Sequence, residues 1–286
     1  MSAANRVRLG AVSYLNARPL VYGLEAVKRF EVRYDIPSVC ARLLHEGMID
    51  VGLIPSIEYL RGRQSYRLVP GPAVTSRGPV ASVAIYTRVA PADIKSIAMD
   101  NSSRTSVALA TVLLRRVFGV VPTPVSMEPD LDSMLARADA ALLIGDYALF
   151  LDDMALRDRP SAIGGPESAI ERIDLGELWT DTTGLPFVYA FWTGWPDAVM
   201  PDDVAALQRA RDEGMAHADA VARSYYGGDP ARQEVATRYL RDNIRYILGD
   251  EELEGLQTFY RYAAELGLAS FDGTLRQYDA EHHPAR

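Results

Sequence analysis

Four short segments of the 286-residue chain gather side chains able to hold or orient an oxygen-rich ligand. They are Ser13-Tyr14-Leu15-Asn16, Pro55-Ser56, Asp100-Asn101-Ser102-Ser103-Arg104-Thr105 and Gly145-Asp146-Tyr147. Each follows an apolar run and precedes a helix-like stretch, and such strand-to-helix loops are where open α/β sheets collect ligands. A helix start presents unpaired N–H groups and a partial positive charge, which suits a carboxylate. Ser13, Ser56, Asn101, Ser102, Ser103, Thr105, Gly145 and Tyr147 are therefore candidate ligand contacts. Taken singly, each is explained more simply as a cap for its own helix; four such loops on one rim favour a site. Arg104 could grip a carboxylate through two bonds, although a surface ion pair accounts for it equally well. Asp146 could hold a hydroxyl or orient a donor, or cap the helix that follows it.

Familiar catalytic signatures are missing. There is no G-x-S-x-G elbow, no P-loop and no G-x-G-x-x-G behind a strand. The four histidines, His45, His217, His282 and His283, are scattered, so no metal cluster with ligand spacing can be assembled, and they read as solvated surface residues. An enzyme built from this set would work without a metal, a tethered cofactor or a histidine base. That suits a reaction with a strong intrinsic driving force, accelerated by positioning and by preorganised dipoles.

The elements that must position these loops alternate between short apolar runs and helical spacing. Strands are expected over 7–12, 31–34, 51–54, 80–88, 123–125, 140–144 and 187–193, with another starting at Ile97. Helices are expected over 15–28, 38–47 and 104–118. The stretch 70–79, rich in Pro, Gly and Ser, reads as a loop. Beyond Gly194-Trp195-Pro196 the pattern is helical only, with Leu253, Leu256, Phe259, Tyr260, Ala263 and Leu266 at three- and four-residue steps. Two strands bracketing an inserted βα series, with terminal helices returning to the first part, describe a two-lobed α/β clamshell of the periplasmic-binding-protein type II kind. Each lobe would be a mixed sheet flanked by helices, with the ligand in the cleft. Residues 1–88 plus 195–286 would form lobe I, and 89–194 lobe II.

Composition limits the partners. The net charge of −8 argues against a general nucleic-acid binder, because no basic excess exists to release counterions from a phosphate backbone. No stretch approaches the roughly 20 apolar residues of a membrane span. The opening Met-Ser-Ala-Ala-Asn-Arg-Val-Arg lacks the apolar core of a signal peptide, and the single cysteine, Cys40, allows no internal disulfide, so a cytoplasmic setting is expected. Tyr239, Tyr246, Phe259 and Tyr260 could serve a homodimer, with core packing the simpler use.

The ordered motifs resemble one family. Ala11-Val12-Ser13-Tyr14-Leu15-Asn16-Ala17-Arg18-Pro19-Leu20, Asp50-Val51-Gly52-Leu53-Ile54-Pro55-Ser56-Ile57-Glu58-Tyr59, Gly78-Pro79-Val80-Ala81-Ser82-Val83, the segment 100–106, Leu143-Ile144-Gly145-Asp146-Tyr147-Ala148 and Asp174-Leu175-Gly176-Glu177-Leu178-Trp179 resemble, in this order, the chorismate dehydratases of the futalosine route to menaquinone. The resemblance spans about Val7 to Tyr262. It implies a binding-protein fold and removal of water from chorismate to give 3-[(1-carboxyvinyl)oxy]benzoate, with no cofactor. In the family pattern the asparagine of S-Y-L-N and a serine on the hinge strand are the catalytic pair, and these fall on Asn16 and Ser82. Pro55 departs from the more usual small residue, and 152–171 does not map.

Two rivals share the fold. The 1,4-dihydroxy-6-naphthoate synthases open on a pattern like S-P-C-P-N-D and are associated with a histidine, neither of which appears in these loops. A non-catalytic carboxylate-binding protein would carry a signal peptide or lipobox cysteine, and a cytoplasmic metabolite sensor would carry neither.

Overall fold

Runs of five buried residues cannot be satisfied by a sheet that packs on one face only, so helices must cover both sides. The computed structural model describes residues 6–62, 66–100, 102–151 and 170–279. In chain order the strands are β1 (Val7–Val12), β2 (Phe30–Asp35), β3 (Val51–Pro55), β4 (Arg67–Ser76), β5 (Val83–Thr87), β6 (Ser96–Asp100), β7 (Thr123–Met127), β8 (Ala140–Ile144), β9 (Glu171–Asp174), β10 (Phe187–Gly194) and β11 (Arg245–Leu248). The helices are α1 (Pro37–His45), α2 (Arg104–Val117), α3 (Leu131–Leu135), α4 (Gly145–Leu149), α5 (Leu175–Thr183), α6 (Pro201–Ala216), α7 (Ala218–Tyr225), α8 (Pro230–Arg238) and α9 (Asp250–Glu265).

Two mixed sheets result. One has the order β11-β4-β10-β3-β1-β2 and the other β7-β6-β8-β5-β9. In the first, β1, β2 and β3 run parallel, while β10 is antiparallel to β3 and β4 on either side. β5 (83–87) belongs to the second sheet and β10 (187–194) to the first, on the far side of each boundary from the division at 88/89 and 194/195 expected above. The chain crosses between sheets over 77–82 and again over 175–186. The terminal helices return to the first sheet, as where the Phe259 ring of α9 meets that of Phe187 edge-on at 5.0 Å.

Local chemistry accounts for three departures from the sequence reading. The helix expected over 15–28 is instead a 3-10 segment, Leu15–Val21, followed by a second short one, Leu24–Ala26. Pro19 lacks the N–H an α-helix would direct at Leu15, and Gly23 turns the chain at a φ of 73°. The stretch 70–79 is largely strand: β4 carries Pro70-Gly71-Pro72 because its pairing with β10 jumps there, Ala73 facing Phe191 and Leu68 facing Thr193. Such an irregularity leaves proline's missing donor unneeded. Finally, the C-terminal part is not helical throughout, since β11 adds a four-residue edge strand beside β4.

Tyr239, Tyr246, Phe259 and Tyr260 are all buried, so none of them offers a surface for a second copy of the chain. No helix among the described residues is long and apolar enough to cross a membrane.

Candidate active site

The ends of β1, β3 and β8, the start of β5 and the start of α2 converge on a narrow cleft of about 520 Å³, counting the part open to solvent. Its polar lining is Tyr14, Asn16, Ser82, Ser103, Ser106 and Tyr189, and no charged side chain lines it among the described residues. The rest is apolar, including Val12, Leu53, Pro55, Val74, Val83 and Ile144. Hydrogen bonds here therefore act in a poorly screened setting, where a donor aimed at developing charge counts most.

Ser82 is 1% exposed, and its Oγ lies 2.7 Å from the Tyr239 hydroxyl. The residue before it, Ala81, holds a φ of 64°, the only non-glycine with positive φ among the described residues. The Asp174 carboxylate holds this corner. Its Oδ2 accepts from the Ala81 N–H (2.7 Å) and its Oδ1 from the Val80 N–H (3.0 Å). Asp174 also caps α5, Oδ1 accepting from the Gly176 and Glu177 N–H groups. Two residues before Asp174 on β9, Arg172 donates to the Ala81 carbonyl at 2.8 Å.

Gly145 enters the cleft wall from the end of β8, the strand paired with β5. Its N–H donates to the Ser82 carbonyl at 2.8 Å, and its φ is 63°. A Cβ added there would meet the Tyr14 ring at 3.2 Å. Gly145→Ala is expected to cost about 1–2 kcal/mol in chemical denaturation through its left-handed backbone. It should also raise KM by displacing Tyr14, and steady-state kinetics with a full denaturation curve would check both.

Of the residues singled out from sequence, Asn16, Ser82, Ser103 and Gly145 come together in this cleft. The other described candidates do not line it. Ser13 and Asp146 border a neighbouring, more open cavity with Arg18 and Tyr225. There Asp146 accepts from the Tyr225 hydroxyl (2.6 Å) and the Leu15 N–H (3.2 Å), so the hydroxyl it holds is the protein's own. Burial raises the Asp146 pKa, and these two bonds oppose the rise. Ser56 and Thr105 are buried together: Ser56 donates to the Val188 carbonyl at 2.8 Å, and Thr105 Oγ1 accepts from the Ile57 N–H at 3.2 Å. Ser102 closes a turn on Asp100, donating from both its N–H (2.9 Å) and its hydroxyl (2.6 Å). Tyr147 is 40% exposed and its hydroxyl accepts from the Leu131 N–H at 3.3 Å. Asn101 lies outside the described residues.

The helix-end picture narrows accordingly. Only α2 offers a full α-helical start, since residues 15–21 and 56–61 are 3-10 segments and α4 is five residues long. Ser103 caps α2, its Oγ accepting from the Ser106 N–H (3.5 Å) and the Ser106 hydroxyl (3.1 Å). Ser106, one turn along, is the cleft residue that this spacing could have revealed. Tyr14 stood in a quoted loop without a role. Tyr189 and Tyr239 sit on a strand and a helix end with no local motif to mark them.

Arg104 pairs with Glu58 at 2.9 Å and does not line the cleft. Glu58 is a buried acid also bonded by Arg61 (2.8 Å) and by His45 Nε2 (3.0 Å), while His45 Nδ1 meets the Tyr66 hydroxyl at 2.8 Å. His45 is thus half-buried and structural rather than a solvated surface residue. Burial alone would raise the Glu58 pKa, but His45, Arg61 and Arg104 together hold it down to about 2, against an ordinary 4.5. A depressed acid stabilises the fold fully above its unfolded pKa and loses that contribution as protons bind the folded form. Melting temperature should therefore fall between about pH 4.5 and 2, and Glu58→Gln should flatten that slope in melts recorded across this window.

Cys40 is buried in α1, its thiol donating to the Ala11 carbonyl at 3.3 Å, and burial pushes its pKa up to about 12, so it is a packing residue.

Comparison with known proteins places this geometry. A family model described as menaquinone biosynthesis matches residues 7–265. A chorismate dehydratase of Thermus thermophilus is 33% identical over 266 residues, covering 91% of this chain and 95% of that protein. A crystal structure of an Archaeoglobus fulgidus protein superposes with a TM-score of 0.70 at 17% identity, over 94% of this chain and 100% of the other. A Candida albicans protein, described as having the generic periplasmic binding protein fold, gives 0.62 at 12% identity over 96% and 98%. The architecture is that two-lobed binding-protein fold, and the chain belongs to the chorismate dehydratase family of menaquinone biosynthesis.

Proposed function

We propose that this chain is a carbon–oxygen lyase that removes water from chorismate to give 3-[(1-carboxyvinyl)oxy]benzoate. The observation that carries the reading is the meeting of Asn16 and Ser82 in a cleft whose lining, among the described residues, holds neither a carboxylate nor a histidine. Neither residue is a base at neutral pH, so the proton acceptor comes from the substrate. The enolpyruvyl carboxylate takes the C3 proton, the C3–H electrons form the new ring double bond, and the C4 hydroxyl departs. Hydroxide and the abstracted proton combine as water. Aromatisation makes the step downhill, which leaves the protein to orient the side chain and to stabilise the leaving oxygen.

Asn16 and Ser82 supply those donors. The α2 start, with Ser103 and Ser106, receives one of the two substrate carboxylates, where the helix end favours negative charge. The apolar walls fit the ring. A cytoplasmic setting belongs to the reading, supported by the single buried thiol.

Mixing the purified protein with chorismate tests it. Growth of an aromatic ultraviolet band and a product lighter by one water are expected. Binding without turnover would mark a carboxylate-binding protein instead, and absence of binding would remove chorismate altogether.

A further inference from the structure

Behind Ser82 lies a second hydroxyl. Tyr239 is 2% exposed and its Oη is 2.7 Å from Ser82 Oγ. Tyr239 opens a π-helical turn, Tyr239–Asn243, that follows α8. Such turns are rare and recur at functional sites. The far end of the turn is tied to the loop that leads to Ser82, since Asn243 Nδ2 donates to the Pro79 carbonyl at 3.0 Å. Two anchors thus hold the phenol against the serine.

The donor directions follow from relative acidity. A phenol is a stronger acid and better donor than an aliphatic hydroxyl. Tyr239 therefore donates to Ser82 Oγ. Ser82 keeps its own hydrogen for the cleft. Burial raises the Tyr239 pKa, so the phenol stays protonated across the working range, as this arrangement requires. Without Tyr239, the Ser82 hydrogen would be free to turn away from the cleft.

We propose that Tyr239 is the positioning residue for Ser82, donating to its Oγ and so leaving the Ser82 hydrogen aimed at the departing hydroxyl. The inference rests on the dehydratase reading. It involves no proton transfer through Tyr239.

Tyr239→Phe removes only the hydroxyl. Its kcat for chorismate dehydration should fall about 10- to 100-fold, less than for direct loss of a donor, with KM within about threefold and the fold intact by circular dichroism. In Tyr239→Phe/Ser82→Ala the losses should not multiply: the double variant should match Ser82→Ala, because the phenol acts through the serine. Should Tyr239→Phe fail to fold, 3-fluorotyrosine at 239 keeps the hydroxyl and should retain kcat within about threefold. A native kcat for Tyr239→Phe, multiplying losses in the double variant, or a fluorotyrosine protein that is folded but inactive would each overturn the proposal. The wild-type protein in the same assay separates the two levels. Turnover by wild type with an unimpaired Tyr239→Phe sinks the positioning role alone, whereas no turnover by wild type sinks the dehydratase reading and this role with it.

Discussion

Asn16→Ala and Ser82→Ala are each expected to lower kcat for chorismate dehydration about 100- to 1000-fold, the range seen when one preorganised donor is removed from a reacting oxygen. KM should move little if the helix start and the apolar walls hold the substrate. Neither change opens the core: Ser82 loses one oxygen at a strand start and Asn16 lies half-buried on the cleft surface. Melting temperatures should therefore stay within a few degrees of wild type. Because the two donors serve the same departing group, the double variant should be far less impaired than the product of the single losses. A folded Asn16→Ala or Ser82→Ala protein that binds chorismate and turns it over at a near-native rate would end the role assigned to that residue. Single-turnover measurement settles the matter, since it reports the elimination rather than product release.

Asp174→Ala should be the most destabilising of the changes considered, lowering the melting temperature by about 10 °C. One carboxylate serves four N–H groups, at Val80, Ala81, Gly176 and Glu177. Losing the helix cap costs about 1 kcal/mol, and leaving the Val80 and Ala81 groups without acceptors costs about 1–3 kcal/mol more. At roughly 2–4 °C per kcal/mol for a chain of this order, these sum to the stated shift. No other group among the described residues would hold Ala81 at its φ of 64° from the amide side, so the backbone should relax and carry Ser82 with it. Activity should fall with stability. Asp174→Asn is the informative companion: it keeps one carbonyl acceptor but turns an N–H toward the Ala81 N–H, so it should lie between alanine and wild type. Differential scanning calorimetry on the three proteins would decide, and an Asp174→Ala protein melting within 2 °C of wild type would refute the clamp.

Much of this architecture is legible in the residues. β1, β3 and β8 are apolar runs buried along nearly their whole length, and Leu253 to Ala263 announce α9 by spacing alone. The cleft loops are legible too, because a strand must hand over to a helix where sequence shifts from Val, Leu and Ile to Ser, Asn and Asp. What spacing cannot convey is which side chain of a loop turns inward. Thr105 and Ser103 are two residues apart, yet one is buried against Ser56 and the other faces the ligand space. Arg104 looked like a ligand clamp only while its partner, Glu58, 46 positions earlier, was out of sight. β4 was hidden because Pro70 and Pro72 advertise a loop, and only the irregular pairing with β10 makes them acceptable. Tyr239 and Asp174 draw their importance from contacts 157 and 94 positions away, with Ser82 and Val80. No local pattern records such distances.

The position of β10 has a consequence for how the molecule is made. The second sheet draws every strand from 83–174, one continuous stretch, so it can be complete while synthesis is still under way. The first sheet cannot. β10 is its inner strand, joining β3 on one side to β4 on the other, and β11 arrives later still. Until Phe187–Gly194 leaves the ribosome, β3 keeps an open edge and β4 has no partner at all, and other chains could join either. The lobe encoded first is therefore the lobe finished last, and its exposure to mispairing lasts as long as it takes to translate the lobe inserted within it.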